Sequence, residues 1–266
     1  MDRCGARITL TRMTTRRALL LGAAALPLAA CGRFGSQSGD FDAPREERVA
    51  CRTPEALTSF ATLGGAPLRY EITGTEQSFN ADPRFVDQLE AWAADWVAVS
   101  GLGPLTAVST YGAHVDKCGS WHAAGRAFDF GVLTHADGTQ VSCRYDTWGE
   151  DAPRLALYWR LAASLAKHFN YTLTYRYNEQ HHNHIHIDNG VSGYDTFGFN
   201  EGSRTHVLLV QGVLRWVFGR DVPADGGFGQ STRDAARAVQ QEYGITQRLA
   251  STEGWGAFLD AAAGAT

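Results

Sequence analysis

Ser120-Trp-His-Ala-Ala-Gly-Arg-Ala-Phe-Asp129 and His181-His-Asn-His-Ile-His-Ile-Asp188 decide how this chain is read. The first segment supplies His122 and Asp129, and the second supplies His184 and His186. Zinc in hydrolases is typically held by three nitrogen or oxygen side chains, with one position kept for water. His122, Asp129 and His186 make such a set for one Zn2+ ion. A His-x-His pair alone is commonly a surface feature, so it is the joint occurrence of the two segments that points to a metal.

The second segment has a readable geometry. Residues 171–177, Tyr-Thr-Leu-Thr-Tyr-Arg-Tyr, are rich in aromatic and β-branched residues and predict a strand. A further strand through 183–188 puts His184, His186 and Asp188 on one face, with Ile185 and Ile187 on the core face. Asp188 or a backbone carbonyl is then placed to orient an imidazole from behind. Gly125 and Gly131 suit a tight chain path beside a metal.

Outward from these segments the pattern is mixed. Residues 67–73 and 105–110 read as strands. Residues 82–99 read as a helix, with Pro83 in its first turn, Gly101 as its stop, and Phe85, Leu89, Trp92, Trp96 and Val99 at helical spacing. Its tryptophans are core residues on this reading. Residues 153–169 read as a second helix with Leu155, Trp159, Ala162 and Phe169 inward. Strands and helices without βαβ regularity indicate an α+β domain over about 51–200.

The two segments resemble the signature of the zinc peptidases of bacterial cell walls with the hedgehog/D-Ala-D-Ala-peptidase fold. That family's first motif reads Ser-x-His-x-x-Gly-x-Ala-x-Asp, and 120–129 matches every fixed position. Its second reads roughly His-x-Asp-His-x-His, and 181–186 matches except at the acidic position. The likeness is to the penicillin-insensitive murein endopeptidases and the extensin-like proteins, over residues 65–195. It implies His122, Asp129 and His186 as zinc ligands and places His184 and His181 beside the scissile bond. It adds Ser120, Tyr111 and Arg126 as substrate contacts.

Two departures from the family pattern carry weight. Asn183 stands at the acidic position, and an amide cannot accept a proton at neutral pH. His184 and His181 are the substitutes as general base, with Glu179 behind them. Carboxypeptidase relatives often carry an Arg in a Ser-x-Tyr-Arg stretch, whereas here the stretch is Ser109-Thr-Tyr111-Gly112. That tilts the expectation toward an endopeptidase, although Arg126 could still grip a substrate carboxylate.

The N-terminus sets an address. Thr15-Arg16-Arg17 followed by Ala18-Leu-Leu-Leu-Gly22 resembles a twin-arginine export signal. The apolar stretch 18–30 is too short for a membrane span and has the form of a signal h-region. Leu28-Ala-Ala-Cys31 resembles a bacterial lipobox, so residues 1–30 read as a leader, Cys31 as the lipidation site and 31–50 as a polar tether. The expected address is the outer face of the bacterial cytoplasmic membrane, by a lipid anchor.

Composition agrees. The formal charge is −4, and removing the first thirty residues leaves 19 basic and 27 acidic residues, a balance near −8. No basic stripe remains for nucleic acid. Cys4 leaves with the leader. Cys51, Cys118 and Cys143 remain in an exported, disulfide-permissive setting. A Cys118–Cys143 bridge would brace the first motif; Cys51 could instead pair with either, and spacing leaves the choice open. No Cys-x-x-Cys pair exists, so the cysteines are not read as zinc ligands.

Beyond residue 203 the texture changes. Val207, Val210, Leu214, Val217 and Phe218 recur at helical spacing, and a turn follows at Asp221-Val-Pro-Ala-Asp-Gly-Gly-Phe-Gly229. Ser231/Thr232 open a second helix ended by Gly244, and 252–262 form a third. Residues 204–262 resemble the three-helix peptidoglycan-binding module. The expectation is a lipid-anchored zinc peptidase of the DD or LD type, acting on peptidoglycan. The alternative is a wall-binding lipoprotein whose zinc is structural or weakly catalytic.

Overall fold

The computed structural model describes residues 51–190, 193–195 and 198–266. The export leader, the lipid-site Cys31 and the tether lie outside the described residues. Within them the chain is α+β. In chain order it forms β1 (Thr58–Phe60), β2 (Thr62–Leu63), β3 (Ala66–Tyr70), β4 (Phe79–Ala81), α1 (Pro83–Ser100), β5 (Leu105–Gly112) and β6 (Ala127–His135). There follow β7 (Gln140–Ser142), α2 (Tyr145–Trp148), α3 (Ala152–His168), β8 (Tyr171–Leu173) and β9 (Ile185–Asp188). The chain closes with α4 (Arg204–Trp216), α5 (Gln230–Glu242) and α6 (Thr252–Ala263).

The long helices start where a side chain can satisfy the free amides of a first turn. Asp82 accepts from the Arg84 amide at 3.0 Å, with Pro83 opening α1. Asp151 does the same for the Arg154 amide of α3, also at 3.0 Å. Gly101, at φ 73°, ends α1 in the left-handed conformation that a helix stop favours. Phe85, Leu89, Trp92 and Trp96 form the buried face of α1, as their spacing predicts.

The main sheet runs β2-β3-β5-β6-β9-β8, with β7 also paired to β6; β1 and β4 make a separate ribbon. β3 and β5 are parallel, while β6 is antiparallel to each of its partners β5, β7 and β9. Along β6 the side chains alternate. Phe128 and Phe130 are fully buried, and Phe130 meets Trp92 of α1 edge-on with ring centroids 4.8 Å apart. Asp129 and Gly131 take the opposite face. Helices α1 and α3 seal the apolar side, joined by Phe85 against Phe169 at 5.4 Å and by the Trp92 indole N–H donating to Ser164 at 2.8 Å.

The three C-terminal helices share the hydrophobic core of α1 and α3. Helix α4 crosses α3 where Gly212 lies against Trp159. The Arg160 guanidinium of α3 donates to the Ala263 carbonyl of α6 at 3.0 Å. The turn between α4 and α5 folds around one buried amide. Gln211 donates to Asp225 Oδ1 at 2.9 Å and to the Gly227 carbonyl at 3.0 Å, and accepts from the Gly226 amide at 2.8 Å.

The structure departs from the sequence reading at several places. The cysteine bridge joins Cys51 to Cys118, not Cys118 to Cys143. Cys143 directly follows β7, its amide bonded to the Gly131 carbonyl of β6, and its thiol is buried in the core. Cys118 lies on the exposed β5–β6 loop, where Cys51 reaches it. The strand expected over 171–177 stops at Leu173, because the Tyr177 amide turns back to the Thr174 carbonyl at 2.8 Å and the Tyr158 hydroxyl captures the Tyr175 amide at 3.0 Å. The strand expected over 67–73 ends at Tyr70, whose carbonyl accepts from Gly74 at 2.8 Å to close a turn. The strand expected from 183 begins at Ile185. The long strand β6, which carries Asp129, is not anticipated at all.

Packing of α4 on α3 is testable at one glycine. A Cβ at Gly212 would lie 2.2 Å from the Trp159 ring, whereas a Cβ at Gly256 of α6 meets nothing within 4 Å. Gly212→Ala should destabilise the protein by about 1–3 kcal/mol through overpacking. Gly256→Ala should stabilise it by about 0.5–1 kcal/mol, the usual gain for Ala over Gly in a helix. Denaturant midpoints that move equally for both variants would contradict this packing.

Candidate metal centre

The register of β6 against β9 sets Asp129 directly opposite His186. Both point away from the Phe128/Phe130 core, and Ile185 and Ile187 are fully buried on the other side of β9. His122 arrives from the loop between β5 and β6. Gly125, at φ 70°, lets that loop turn back into β6; a Cβ there would meet the Asp82 backbone nitrogen at 2.8 Å. The N-terminal segment sutures the same loop. The Arg52 amide donates to Ala123 O at 2.9 Å, and the His114 ring contacts the Arg52 carbonyl at 2.8 Å. The Cys51–Cys118 bridge adds a covalent tie.

Three side chains converge. His122 Nε2 lies 3.2 Å from His186 Nδ1 and 3.3 Å from Asp129 Oδ2, and His186 Nδ1 lies 2.8 Å from Asp129 Oδ1. Their ligand atoms all lie within 4.8 Å of one another, so the group could hold a metal ion. The outward ring nitrogens are fixed from behind. His122 Nδ1 is bonded to the Ala113 carbonyl at the end of β5. His186 Nε2 is 2.9 Å from the buried Asp188 carboxylate, which also accepts from the Gly190 amide at 2.7 Å. Both a carbonyl and Asp188 thus orient the rings, as hydrogen-bond partners behind metal-binding histidines usually do.

The donor set fits a cation. With each outward nitrogen donating, two ring lone pairs face each other beside a carboxylate, an arrangement that needs positive charge between them. Burial works against the His186 cation, but hydrogen bonds to Asp129 and Asp188 and their negative charges outweigh it, and its pKa is pushed up to about 10. Burial likewise works against ionised Asp129, and the His122 and His186 rings more than offset it, holding the carboxyl well below its usual range. A proton on His186 occupies the place that a metal ion would take.

His184 and His181 flank this group. His184 Nε2 is 3.6 Å from Asp129 Oδ1, and its Nδ1 is 2.6 Å from Asn183 Oδ1. The His181 ring lies 5.1 Å from His184 and 5.9 Å from His186, with its Nδ1 held at 2.6 Å by Asn178 Oδ1. Burial first, then the neighbouring His186 and His184 rings, push the His181 pKa down to about 3. Burial also pushes the His184 pKa down, against the opposing charge of Asp129. Tyr111 packs its ring 5.7 Å from His184. Burial raises its phenol pKa, against the nearby positive charge of Arg144.

The remaining sequence candidates are not members of the metal group. Ser120 Oγ accepts from the His122 amide at 3.3 Å and so shapes the loop. Arg126 donates to the Gly190 carbonyl at 2.8 Å and stacks over Trp121 at 4.5 Å. Glu179 is exposed at the start of a single 3-10 turn. Sequence reasoning missed Asn178, whose only signal is its position three residues before His181. It also missed a charged group along the same sheet face: Arg144 donates to Glu71 at 2.9 Å and grips Asp146 through two bonds of 2.9 and 2.8 Å. No local motif marks those residues.

Metal uptake should displace the His186 proton. Calorimetric titration of the metal-free chain with a divalent metal at pH 7 should release about one proton per ion bound. The apparent heat should therefore vary with the buffer's ionisation enthalpy, and affinity should fall as pH falls. His122→Ala or Asp129→Ala should abolish stoichiometric uptake. A buffer-independent heat, or uptake that survives both substitutions, would contradict the assignment.

Residues 43–196 match the protein family described as Extensin-like protein C-terminus. No curated protein and no solved structure matches the chain. The matched region covers more than half of the 266 residues and contains every member of the metal group. The chain belongs to the extensin-like family.

Proposed function

We propose that this protein is a zinc-dependent peptidase that cleaves the peptide stems or crosslinks of bacterial peptidoglycan, endopeptidase action being favoured. The observation that carries the reading is the number and setting of the ligands. Among the described residues, three side chains, two imidazoles and a carboxylate, make up the metal group. Catalytic zinc sites keep three protein ligands and one open position, whereas structural sites are closed by four. A half-buried imidazole, His184, stands beside the group without belonging to it.

Zinc bound there supplies Lewis acidity toward a carbonyl oxygen and lowers the pKa of an adjacent water to about 7. The chain's own residues do the rest. His184, its Nδ1 held by Asn183, directs Nε2 toward the metal group and takes a proton from the attacking water. His181 lies behind it as a second imidazole. Tyr111 packs its ring beside that of His184. The two sequence segments resemble the zinc cell-wall peptidases, which supports a peptidoglycan substrate. The twin-arginine pair and the lipobox at Cys31 support export and a lipid anchor at the outer face of the cytoplasmic membrane.

A second reading, a wall-binding lipoprotein with little catalytic power, draws on Asn183 at the acidic motif position and on the C-terminal helices. Crosslinked muropeptides separate the two readings. The zinc-loaded chain should yield cleaved products identifiable by mass. His184→Ala should keep its zinc and lose about 10²–10⁴-fold in rate, the usual cost of removing a general base. Uncut muropeptides at full zinc occupancy would overturn the peptidase reading in favour of the second.

A further inference from the structure

Glu71 stands just past β3, and its carboxylate lies across the face of the sheet that carries Asp129. It accepts from the Ser109 hydroxyl of β5, whose oxygen itself accepts from the Val132 amide of β6 at 2.7 Å. Gly131 leaves room for both, since a Cβ there would lie 2.7 Å from Glu71 Oε2 and 2.7 Å from Ser109 Oγ. The Arg144 guanidinium donates to Glu71 Oε1 at 2.9 Å and grips Asp146 through two bonds of 2.9 and 2.8 Å. Asp146 lies in α2 and donates its own amide to the His182 carbonyl at 2.9 Å. Beside it, Tyr145 sets its ring edge-on against the His182 ring at 5.4 Å.

We propose that Arg144 is a positioning residue: it ties α2 to the sheet and thereby holds the loop 178–184, which brings His181 and His184 beside the metal group. The consequence for a reaction rests on the peptidase reading; the hold on the loop does not.

The loop's own bonds shape it without fixing its place. The His181 amide donates to the Asn178 carbonyl and the His182 amide to the Glu179 carbonyl, each at 3.1 Å. The His181 and His184 rings bond to Asn178 and Asn183. All four contacts would travel with the loop if it moved. The contacts at His182 reach another element instead, but that element is slight. Helix α2 has four residues, too few to be stable by its own bonds. Arg144 supplies what α2 lacks. Its planar fork of five donors serves two carboxylates at once, one on the sheet and one on α2, which a single ammonium cannot reproduce. The metal group itself sits on β6, β9 and the loop between β5 and β6. Arg144 can therefore be changed without removing a ligand.

The test reads the loop and the metal separately. In the zinc-loaded chain labelled with 15N, the backbone amides of residues 180–183 should relax as rigid backbone, with order parameters of about 0.85. Arg144→Ala should bring them below about 0.6, while Phe130 and Ile187 stay rigid and zinc content stays that of the wild type. Arg144→Lys, which keeps the charge and loses the fork, should resemble Arg144→Ala. Asp146→Ala should loosen the loop too, and combining it with Arg144→Ala should add nothing, as for two partners in one contact. On the peptidase reading, Arg144→Ala should also lower kcat toward crosslinked muropeptides by about 10²-fold with KM little changed, the scale of a small misplacement of a reacting group. A loop that stays rigid in Arg144→Ala would overturn the proposal. So would a wild-type loop in Arg144→Lys, additive effects in the double variant, or loosening that spreads to Phe130 and Ile187 or takes the zinc with it. A loosened loop with undiminished kcat would overturn the positioning role. If the loop results hold while the wild type leaves muropeptides uncut, the peptidase reading fails and the hold of Arg144 on the loop stands.

Discussion

Asp129 and His186 face each other across the β6–β9 ladder, and the rest of the site is arranged around that pair. Strand pairing has a side-chain period of two, so a slip of one residue would turn Asp129 into the core and put a phenylalanine in its place. What forbids the slip is apolar. Phe128 and Phe130 on β6 and Ile185 and Ile187 on β9 are all fully buried beneath α1 and α3. The core therefore sets the chemistry's geometry without touching it. His122, on a loop, needs other means: the Ala113 carbonyl, the Arg52 contacts and the Cys51–Cys118 bridge hold it to the strands.

The electrostatics follow from that placement. A buried carboxylate is costly unless paired, and two imidazole rings pair this one. Asp188 adds a second carboxylate behind His186, which makes that ring far more basic than an ordinary histidine. A second ring, His181, is driven the other way, first by burial and then by the neighbouring His186 and His184 rings. Two histidines 5.9 Å apart are thus pushed in opposite directions. One is suited to hold a cation and the other to stay neutral, and strongly perturbed groups of this kind cluster at functional sites.

Much of this was legible in the chain, and the parts that were not share a reason. The metal group, the shared face of His184 and His186, and the orienting Asp188 follow from spacing and side-chain chemistry. Helices α1 and α3 and the three C-terminal helices are read within a few residues, because apolar periodicity, Pro and Gly signals and capping residues all agree. Strand β6 was missed because its sequence, Ala-Phe-Asp-Phe-Gly-Val-Leu-Thr-His, mixes a buried face with functional and glycine positions. The shortened strand at 171–173 reflects a tertiary competitor, the Tyr158 hydroxyl, that local propensity does not contain. The disulfide partner was beyond reach because pairing depends on which face of β7 and β6 buries Cys143. The Glu71–Arg144–Asp146 group joins residues far apart in sequence and leaves no local trace.

On the proposed function, nitrogen and oxygen from these three side chains hold one zinc ion. Zinc K-edge X-ray absorption of the zinc-loaded chain addresses it most directly. Zinc held there should show a shell of nitrogen and oxygen at about 2.0–2.2 Å, with the outer scattering of imidazole rings and no sulfur at about 2.3 Å. A sulfur scatterer in the first shell, or a shell without imidazole scattering, would contradict it.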